Sequence, residues 1–584
     1  MPIFTPPKVN NVFAFNHSSR LDCFGRVLLA LMLACPVVAQ AQSVAPSQVT
    51  PRVIEPTSPQ KPAPALPQPD KAKPETDIDP ALVVDAGGVT IEGGFAQMAK
   101  ANAQFEARVA NRKISLSALL EEVRQLEQEY ARQGFILARV TLPPQRIEAG
   151  SNVRVLVVDG FVEAIDTSAL APSFRSLVDA RLRGLIGRTQ LTQAQLERAL
   201  LVAGDLPGVA LRSALAPGAA AGGVKLIIDG DMDGFEAQIG LDNGLPASLG
   251  DWQLVGSAAF NGPLGRGDKA YVTLGSEAYL GRYGFPKATL GLFGTGYVVP
   301  MGENGTTLTG EYLYSRTQPK AQAGVPDTVG AYKRGMLRLA VPLVRTRQEN
   351  VTFTASGEII HQSQNLPDFD ALLSADRYVV IRAGAAWQRD LAPFPFAANL
   401  TLSQGIAGRK ATSALPLSRQ GADIHFTALE FVGLTSFRFH EQAALDVTLR
   451  AATSFGQPVY QSEQFALDAA NGVSTYQSGS FSVDSGITLR AELKAPVFGV
   501  SETMAVAPYV FAANGWGEIV KPTAVELANI TAGSFGLGAR VNVKAFPKLG
   551  DGNLSLGIEI GEQFSNVPGR KEGRLVSVNA AVRF

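Results

Sequence analysis

From Gly234 to Phe584 apolar and polar side chains alternate with a period of two, the pattern of strands with one greasy and one wet face. Leu337, Leu339, Val341 and Leu343 alternate with Met336, Arg338 and Ala340, and Leu445, Val447 and Leu449 with Asp446, Thr448 and Arg450. Ile487, Leu489, Ala491 and Leu493 interleave with Thr488, Arg490, Glu492 and Lys494. Leu537, Ala539, Val541 and Val543 do so with Arg540, Asn542 and Lys544, and Leu554, Leu556, Ile558 and Ile560 with Ser555, Gly557, Glu559 and Gly561. The last strand, Val576-x-Val578-x-Ala580-x-Val582-x-Phe584, closes on an aromatic. A soluble sandwich alternates too, with its aliphatic face buried. A long run of strands behind an export leader favours a membrane barrel, because in lipid every backbone amide must be paired internally. Its inner charges are expected to line a watery lumen. At about 22 residues per crossing and loop, residues 234–584 predict about sixteen antiparallel strands of an outer-membrane β-barrel.

Upstream the period becomes helical. Ser117 reads as an N-cap for a helix carrying Leu120, Val123, Leu126 and Tyr130, which Gly134 stops. Strands follow at Phe135 to Val140 and Asn152 to Val158, around the Pro143-Pro144 turn. The order then repeats, with a strand from Phe161 to Ile165 and a helix from Ser173 to Leu185. Thr192-x-x-Gln195 is a capping box for a helix carrying Leu196, Ala199, Leu200 and Ala203. Leu206-Pro207-Gly208 ends it, and Val209 to Leu215 and Val224 to Ile228 read as strands. Residues 82–159 and 160–233 thus form two small α+β modules of the order β-α-α-β-β, binding modules more readily than an enzyme.

Residues 42–81 are a linker, with ten prolines between Gln42 and Pro80, expected to be an extended, solvated tether without helix. Residues 1–41 read as a signal peptide: Arg20 and Arg26, the apolar run Val27 to Ala39, then Ala39-Gln40-Ala41. Leu33-Ala34-Cys35 leaves a lipoprotein alternative. Cys23 and Cys35 are the only cysteines, so the mature chain carries no thiol.

Composition then narrows the chemistry. Lys+Arg and Asp+Glu both number 52, and no basic excess points to nucleic acid. No Gly-x-x-x-x-Gly-Lys-Ser/Thr occurs, so no nucleotide is expected, and the residues call for no cofactor, no metal and no catalytic constellation. Asp229-Gly-Asp231-Met-Asp233-Gly234 resembles the start of a calcium loop, but its twelfth position is Gly240, and a hinge between module and barrel is the better reading. Arg266-Gly267-Asp268 is read as a hairpin turn rather than an adhesion motif. His361, His425 and His440 stand at no metal spacing. Inner-wall Arg338, Arg450, Arg490, Glu492 and Lys494 are expected to be solvated charges, able to steer a client.

The whole resembles the hemolysin secretion/activation family, the two-partner secretion transporters, over about residue 82 to the end. The resemblance rests on Tyr130-x-x-x-Gly134-Phe-Ile-Leu-Ala-Arg139-Val140-x-Leu142-Pro143-Pro144-Gln145, on Val157-Val158-Asp159-Gly160, and on Leu206-Pro207-Gly208-Val209. Asp242-Asn243-Gly244, Asn261-Gly262-Pro263-Leu264-Gly265-Arg266-Gly267-Asp268 and Ser462-Glu463-Gln464-Phe465-Ala466-Leu467 also fit. It implies that the modules are periplasmic POTRA domains holding an unfolded client by strand addition, with Gly134, Pro143, Pro144, Gln145, Gly160, Pro207 and Gly208 as their signature. The barrel would pass that client, a secreted β-helical exoprotein, across the outer membrane. An outer-membrane assembly factor and a passive porin are the alternatives.

The resemblance also implies an inner loop bearing Val-Arg-Gly-Tyr/Phe, whose Arg pairs with an Asp of a Phe-x-Asp-x-Gly motif on the barrel wall. Here the loop reads Val473, Ser474, Thr475, Tyr476 and the wall Phe511, Ala512, Ala513, Asn514, Gly515. Arg and Asp are both absent, as expected if leaving one buried charge unpaired costs more than replacing both. The expectation is a neutral latch, Ser474 or Thr475 with Asn514.

Overall fold

The computed structural model describes residues 14–15, 44–56 and 82–584, apart from 147, 149, 279–287, 392–393, 413–414, 441–442, 545–551 and 569–573. The expected leader, save those two residues, and most of the linker lie outside the described residues. Residues 44–56 open on one helical turn, α1 (Pro46–Val49), where the Gln48 side chain accepts from the Ala45 N–H at 3.0 Å.

The first module runs β1 (Val83–Glu92), α2 (Ala99–Val109), β2 (Arg112–Ser115), α3 (Leu116–Arg132), β3 (Arg139–Thr141) and β4 (Ser151–Val158). Its sheet has the order β2-β1-β4-β3, with β1 and β4 parallel. Helix α3 buries Leu119, Val123, Leu126 and Tyr130 at helical spacing. Its cap is Ser115, whose Oγ accepts from the Ala118 N–H at 3.2 Å, two residues before the expected Ser117. The expected strand at Phe135 begins only at Arg139. Gly134 turns left-handed (φ 94°), Phe135 N–H bonds Tyr130 O at 2.9 Å, and the Phe135 ring folds back under Phe95 and Tyr130.

The second module follows the sequence pattern closely: β5 (Phe161–Asp166), α4 (Pro172–Leu182), α5 (Gln193–Gly204), β6 (Val209–Pro217) and β7 (Gly223–Met232), with sheet order β5-β7-β6. The Thr192–Gln195 capping box is reciprocal, at 3.3 and 3.1 Å.

Sixteen antiparallel strands then close into a barrel. They are β8 (Phe235–Asp242), β9 (Gln253–Asn261), β10 (Lys269–Glu277), β11 (Leu290–Met301), β12 (Thr306–Thr317), β13 (Val329–Arg345), β14 (Glu349–Leu366) and β15 (Ala371–Arg389). The others are β16 (Phe396–Gly408), β17 (Thr427–His440), β18 (Ala443–Thr453), β19 (Ser485–Lys494), β20 (Met504–Glu518), β21 (Asn529–Lys544), β22 (Asn553–Ser565) and β23 (Arg574–Arg583). β8 and β23 close the ring, Gln238–Asp242 against Asn579–Arg583. Among the described residues no helix is long and apolar enough to cross a membrane. The crossing elements are strands, with Leu337, Leu339, Ile487, Leu489, Leu537 and Ile560 exposed on the outside. The connections 262–268, 302–305 and 346–348 lie against the modules, so the longer connections 409–426 and 454–484 lie at the opposite, cell-surface end.

Two expectations fail inside the barrel. The start of the linker is not a solvated tether: Ala45, Val49 and Ile54 are buried within the barrel. Glu55 meets Arg338 at 2.8 Å and Lys269 at 3.7 Å, Arg334 donates to Arg52 O at 2.7 Å, and Arg52 meets Glu430 at 2.8 Å. Pro46 opens the helical turn, and Pro51 and Pro56 follow it in irregular chain. Nor are most inner charges solvated, for segment 44–56 and loop 454–484 fill the space. Arg338, Arg450, Arg490 and Glu492 are buried and partnered, and Lys494, paired with Asp446, keeps partial exposure.

Candidate functional site

Residues 454–484, between β18 and β19, fold back into the barrel. Phe465–Ala466 pair with Ser482–Val483, and Phe465, Leu467, Phe481 and Val483 pack with Ile519, Ile530 and Ala532. Apolar burial sets the hairpin, and buried charges fix it near its start to the wall and at its end to the neighbouring connections. Near the start, Glu463 accepts from both Arg382 terminal nitrogens at 2.9 Å and from Tyr378 OH at 2.7 Å. At the end, Asp484 accepts from Arg419 at 2.6 Å and from Val520 N–H at 2.7 Å.

The tip holds Val473, Ser474, Thr475 and Tyr476. Ser474 Oγ donates to Glu559 Oε2 at 2.7 Å and accepts from Arg490 Nη1. Arg490 also pairs with Glu559 and, at 2.8 Å, with Glu492, and its guanidinium lies 4.5 Å over the Phe511 ring centre. Arg540 holds the other Glu492 oxygen at 2.7 Å, and Tyr509 OH donates to Glu559 at 2.8 Å. Gln563 donates to Thr475 O, and Tyr476 OH to Phe564 O at 2.8 Å. Glycines floor this pocket: a Cβ at Gly515 would stand 3.3 Å from Val473 Cγ2, and one at Gly561 2.9 Å from Thr475 Cγ2.

The neutral latch is therefore a misreading. On β20, Phe511, Ala513 and Gly515 face the lumen, whereas Asn514 alternates outward and is exposed, out of reach of Ser474 and Thr475. Ala513 lies directly opposite Arg490 in register. A small side chain there leaves room for the Arg490 side chain to cross toward Glu559. The cation stands on the wall, and the loop contributes a hydroxyl. Arg490 and Glu492 were legible only as inner-face charges, and Glu559 only as one polar member of an alternating strand.

The signature residues sit at joints. Gly134 O accepts from Gln193 N–H at 2.7 Å, and a Cβ at Gly160 would lie 2.0 Å from Leu137 O, so both hold the modules together. Past Pro143 and Pro144, the Gln145 side chain bonds both backbone groups of Arg154, at 2.8 and 2.7 Å, standing in for a strand that the prolines cannot continue. Pro207 precedes Gly208 (φ 75°), where a Cβ would meet Asp233 O at 2.2 Å and Asn261 Nδ2 at 2.7 Å. The joint to the barrel is thus bonded rather than hinged. Asn261 Nδ2 donates to Asp233 O and Glu236, both at 2.9 Å, and Arg345 grips Asp205 at 2.7 and 2.8 Å. Asp229 and Asp231 lie on β7 beside Arg212, not in a calcium loop, and the described residues hold no cluster suited to a metal. Asp268 is buried in its turn, accepting from Leu264 and Arg266 N–H and from Tyr297 OH.

Comparison with known proteins agrees with this architecture. The model of the family "Haemolysin secretion/activation protein ShlB/FhaC/HecB" matches residues 228–540, and "POTRA domain, ShlB-type" matches residues 88–160. Heme/hemopexin transporter protein HuxB of Haemophilus influenzae (strain 86-028NP) is 24% identical over 435 residues, 70% of this chain and 71% of that protein. Among solved structures, CdiB from Escherichia coli superposes with a TM-score of 0.68 at 17% identity, covering 93% of this chain and 94% of that one. CdiB from Acinetobacter baumannii gives 0.58 at 13% identity, covering 89% and 95%. These two likenesses are likenesses of fold.

Proposed function

The chain belongs to the haemolysin secretion/activation family ShlB/FhaC/HecB, and from that premise we propose that it accepts one unfolded polypeptide in the periplasm and passes it through its barrel to the cell surface. It is an outer-membrane β-barrel of the two-partner secretion transporters, a family of transporters rather than enzymes, with its POTRA region on the periplasmic side. The client in this reading is a large secreted β-helical exoprotein.

One observation carries the reading: the barrel is filled by segments of its own chain, and sheet-bearing modules stand docked at its periplasmic mouth. A passive solute pore needs neither. Among the described residues strand β6 pairs with one other strand, β7, and its nine residues are long enough for an extended client to add as a further strand. Deleting the gene and analysing the culture medium tests the proposal. Loss of one large protein, restored by the wild-type gene, is the expected result. An unchanged medium with reduced solute uptake would favour a porin, and a general fall in outer-membrane barrels an assembly factor; either outcome overturns the proposal.

A further inference from the structure

We propose that a basic row on the outer surface of β12–β15 binds the phosphate groups of the glycolipid in the outer leaflet. Lys333 on β13, His361 on β14 and Arg377 on β15 are direct cross-strand partners, and all three side chains are exposed on the outside of the barrel. Neighbouring strands lie about 4.8 Å apart, so the row crosses about 10 Å of wall.

Its height follows from the residues below it. Outward positions toward the periplasm are apolar: Leu337 and Leu339 on β13, Phe353 and Ile359 on β14, Ile381 and Trp387 on β15. The eight steps from Val351, opposite Trp387, to Ile359 span about 26 Å of strand, about 20 Å of height at a tilt of about 40°, close to that of a lipid-facing band. His361 is the next outward residue, at the margin nearest the cell surface. Tyr312 and Tyr314 on β12 mark the same level, as girdle aromatics do. Tyr314 lies opposite Lys333, whose Nζ is 5.9 Å from its ring centre, and Arg316 stands one outward position higher, bonded to Gln318 at 2.7 Å.

Among the described residues no carboxylate lies within ion-pair distance of Lys333, His361 or Arg377. Lys333 and Arg377, two strands apart on either side of His361, repel one another at a margin beside lipid, where the dielectric is low. A phosphate supplies the missing anion: its oxygens match the Arg fork, and Lys adds a point charge. Outward positions on β20 and β22 include the acidic Glu518 and Glu562, so the basic row belongs to one side of the barrel.

The test uses the full mature chain in nanodiscs of neutral phosphatidylcholine, with bisphosphorylated lipid A as probe and native mass spectrometry as readout. The wild type should retain lipid A, and K333Q/H361Q/R377Q should bind it about tenfold more weakly or worse. Dephosphorylated lipid A should bind the wild type as weakly as lipid A binds the triple variant, and K333R/R377K, which keeps both charges but moves the fork, should stay within about threefold of the wild type. Heat-modifiable gel mobility reports barrel closure; should the triple variant fail it, R377Q alone is measured and should bind about threefold more weakly. Equal retention by wild type and substituted chain would overturn the proposal. So would equal binding of dephosphorylated lipid A, or displacement of lipid A by equimolar inorganic phosphate, which would mark a free-anion site.

Discussion

Replacing Arg490 with Met should loosen the inner loop by a calculable amount. Arg490 and Glu559 side chains are 2% and 5% exposed, so solvent does little to screen their pair. Removing one partner of a buried pair costs about 3–5 kcal/mol, because the other charge is left stranded. Here Glu559 keeps the hydroxyls of Ser474 and Tyr509, and Glu492 keeps Arg540, which places the cost near the low end. The strand ladder is untouched. The stranded carboxylate regains water only if the loop tip lifts, so about 3 kcal/mol should move the closed-to-open balance of the loop about 150-fold. Glu559→Gln keeps an acceptor for both hydroxyls without the charge, so the double variant Arg490→Met/Glu559→Gln should return to within about fivefold of the wild type. Open probability in planar bilayers measures this, and the difference should persist in high salt. An Arg490→Met channel as quiet as the wild type, or a double variant no quieter than the single, would refute the reasoning.

Ser474→Arg alone should raise conductance, since it brings a second guanidinium against Arg490, and adding Ala513→Asp should reverse most of that rise, both read in the same bilayers. Gly208→Val should abolish secretion while leaving a heat-modifiable barrel, because its Cβ collides with Asp233 O, 2.2 Å away, at the module joint; secretion assayed beside gel mobility checks both halves. The Asp166 carboxyl is held below the ordinary carboxylate range chiefly by the hydrogen bond from Lys225, then by those from Ser168. Its contribution is therefore full above the unfolded pKa near about 4 and lost as pH falls below it, so acid melting of the second module should shift upward in pH in Asp166→Asn.

The legibility of this chain follows from how far each signal reaches. Alternation is local and survives in the sequence because lipid outside and polar contacts inside act on every strand, which is why β13, β19 and β22 could be read residue by residue. The second module was legible for the same reason, with a capping box and helices whose apolar faces repeat regularly. Strand β1 and helix α2 were not. Gly87 and Gly88 interrupt the strand, and the helix buries only Phe105 and Val109, so its sequence, AKANAQFEARV, shows almost no apolar stripe. Nor was the tip of the inner loop. Ser474, Arg490 and Glu559 lie on three separate elements, up to 85 residues apart, and only closure of the barrel brings them together. Asn514 shows the converse: the family resemblance named it, and the two-residue period of its own strand turns it away.

The two kinds of interior differ in what holds them. The modules are closed by apolar clusters around Phe105 and Leu126 in one and Phe174 and Leu200 in the other, where each buried side chain adds about 1.5–3 kcal/mol. The barrel's contents add to an apolar cluster a set of buried charges: Glu55 with Arg338, Glu463 with Arg382, Arg419 with Asp484, and the wall pair Arg490–Glu559 with the Ser474 hydroxyl. Such pairs specify position strongly, since a misplaced charge is costly, yet contribute little net stability, because desolvation offsets their attraction. Inner segments held this way are precise when seated and cheap to replace by water and another polypeptide's polar backbone. An apolar plug of the same size would seal better and would have to expose its whole core before anything could pass, so for a conduit the charged interior is the mechanically sensible one.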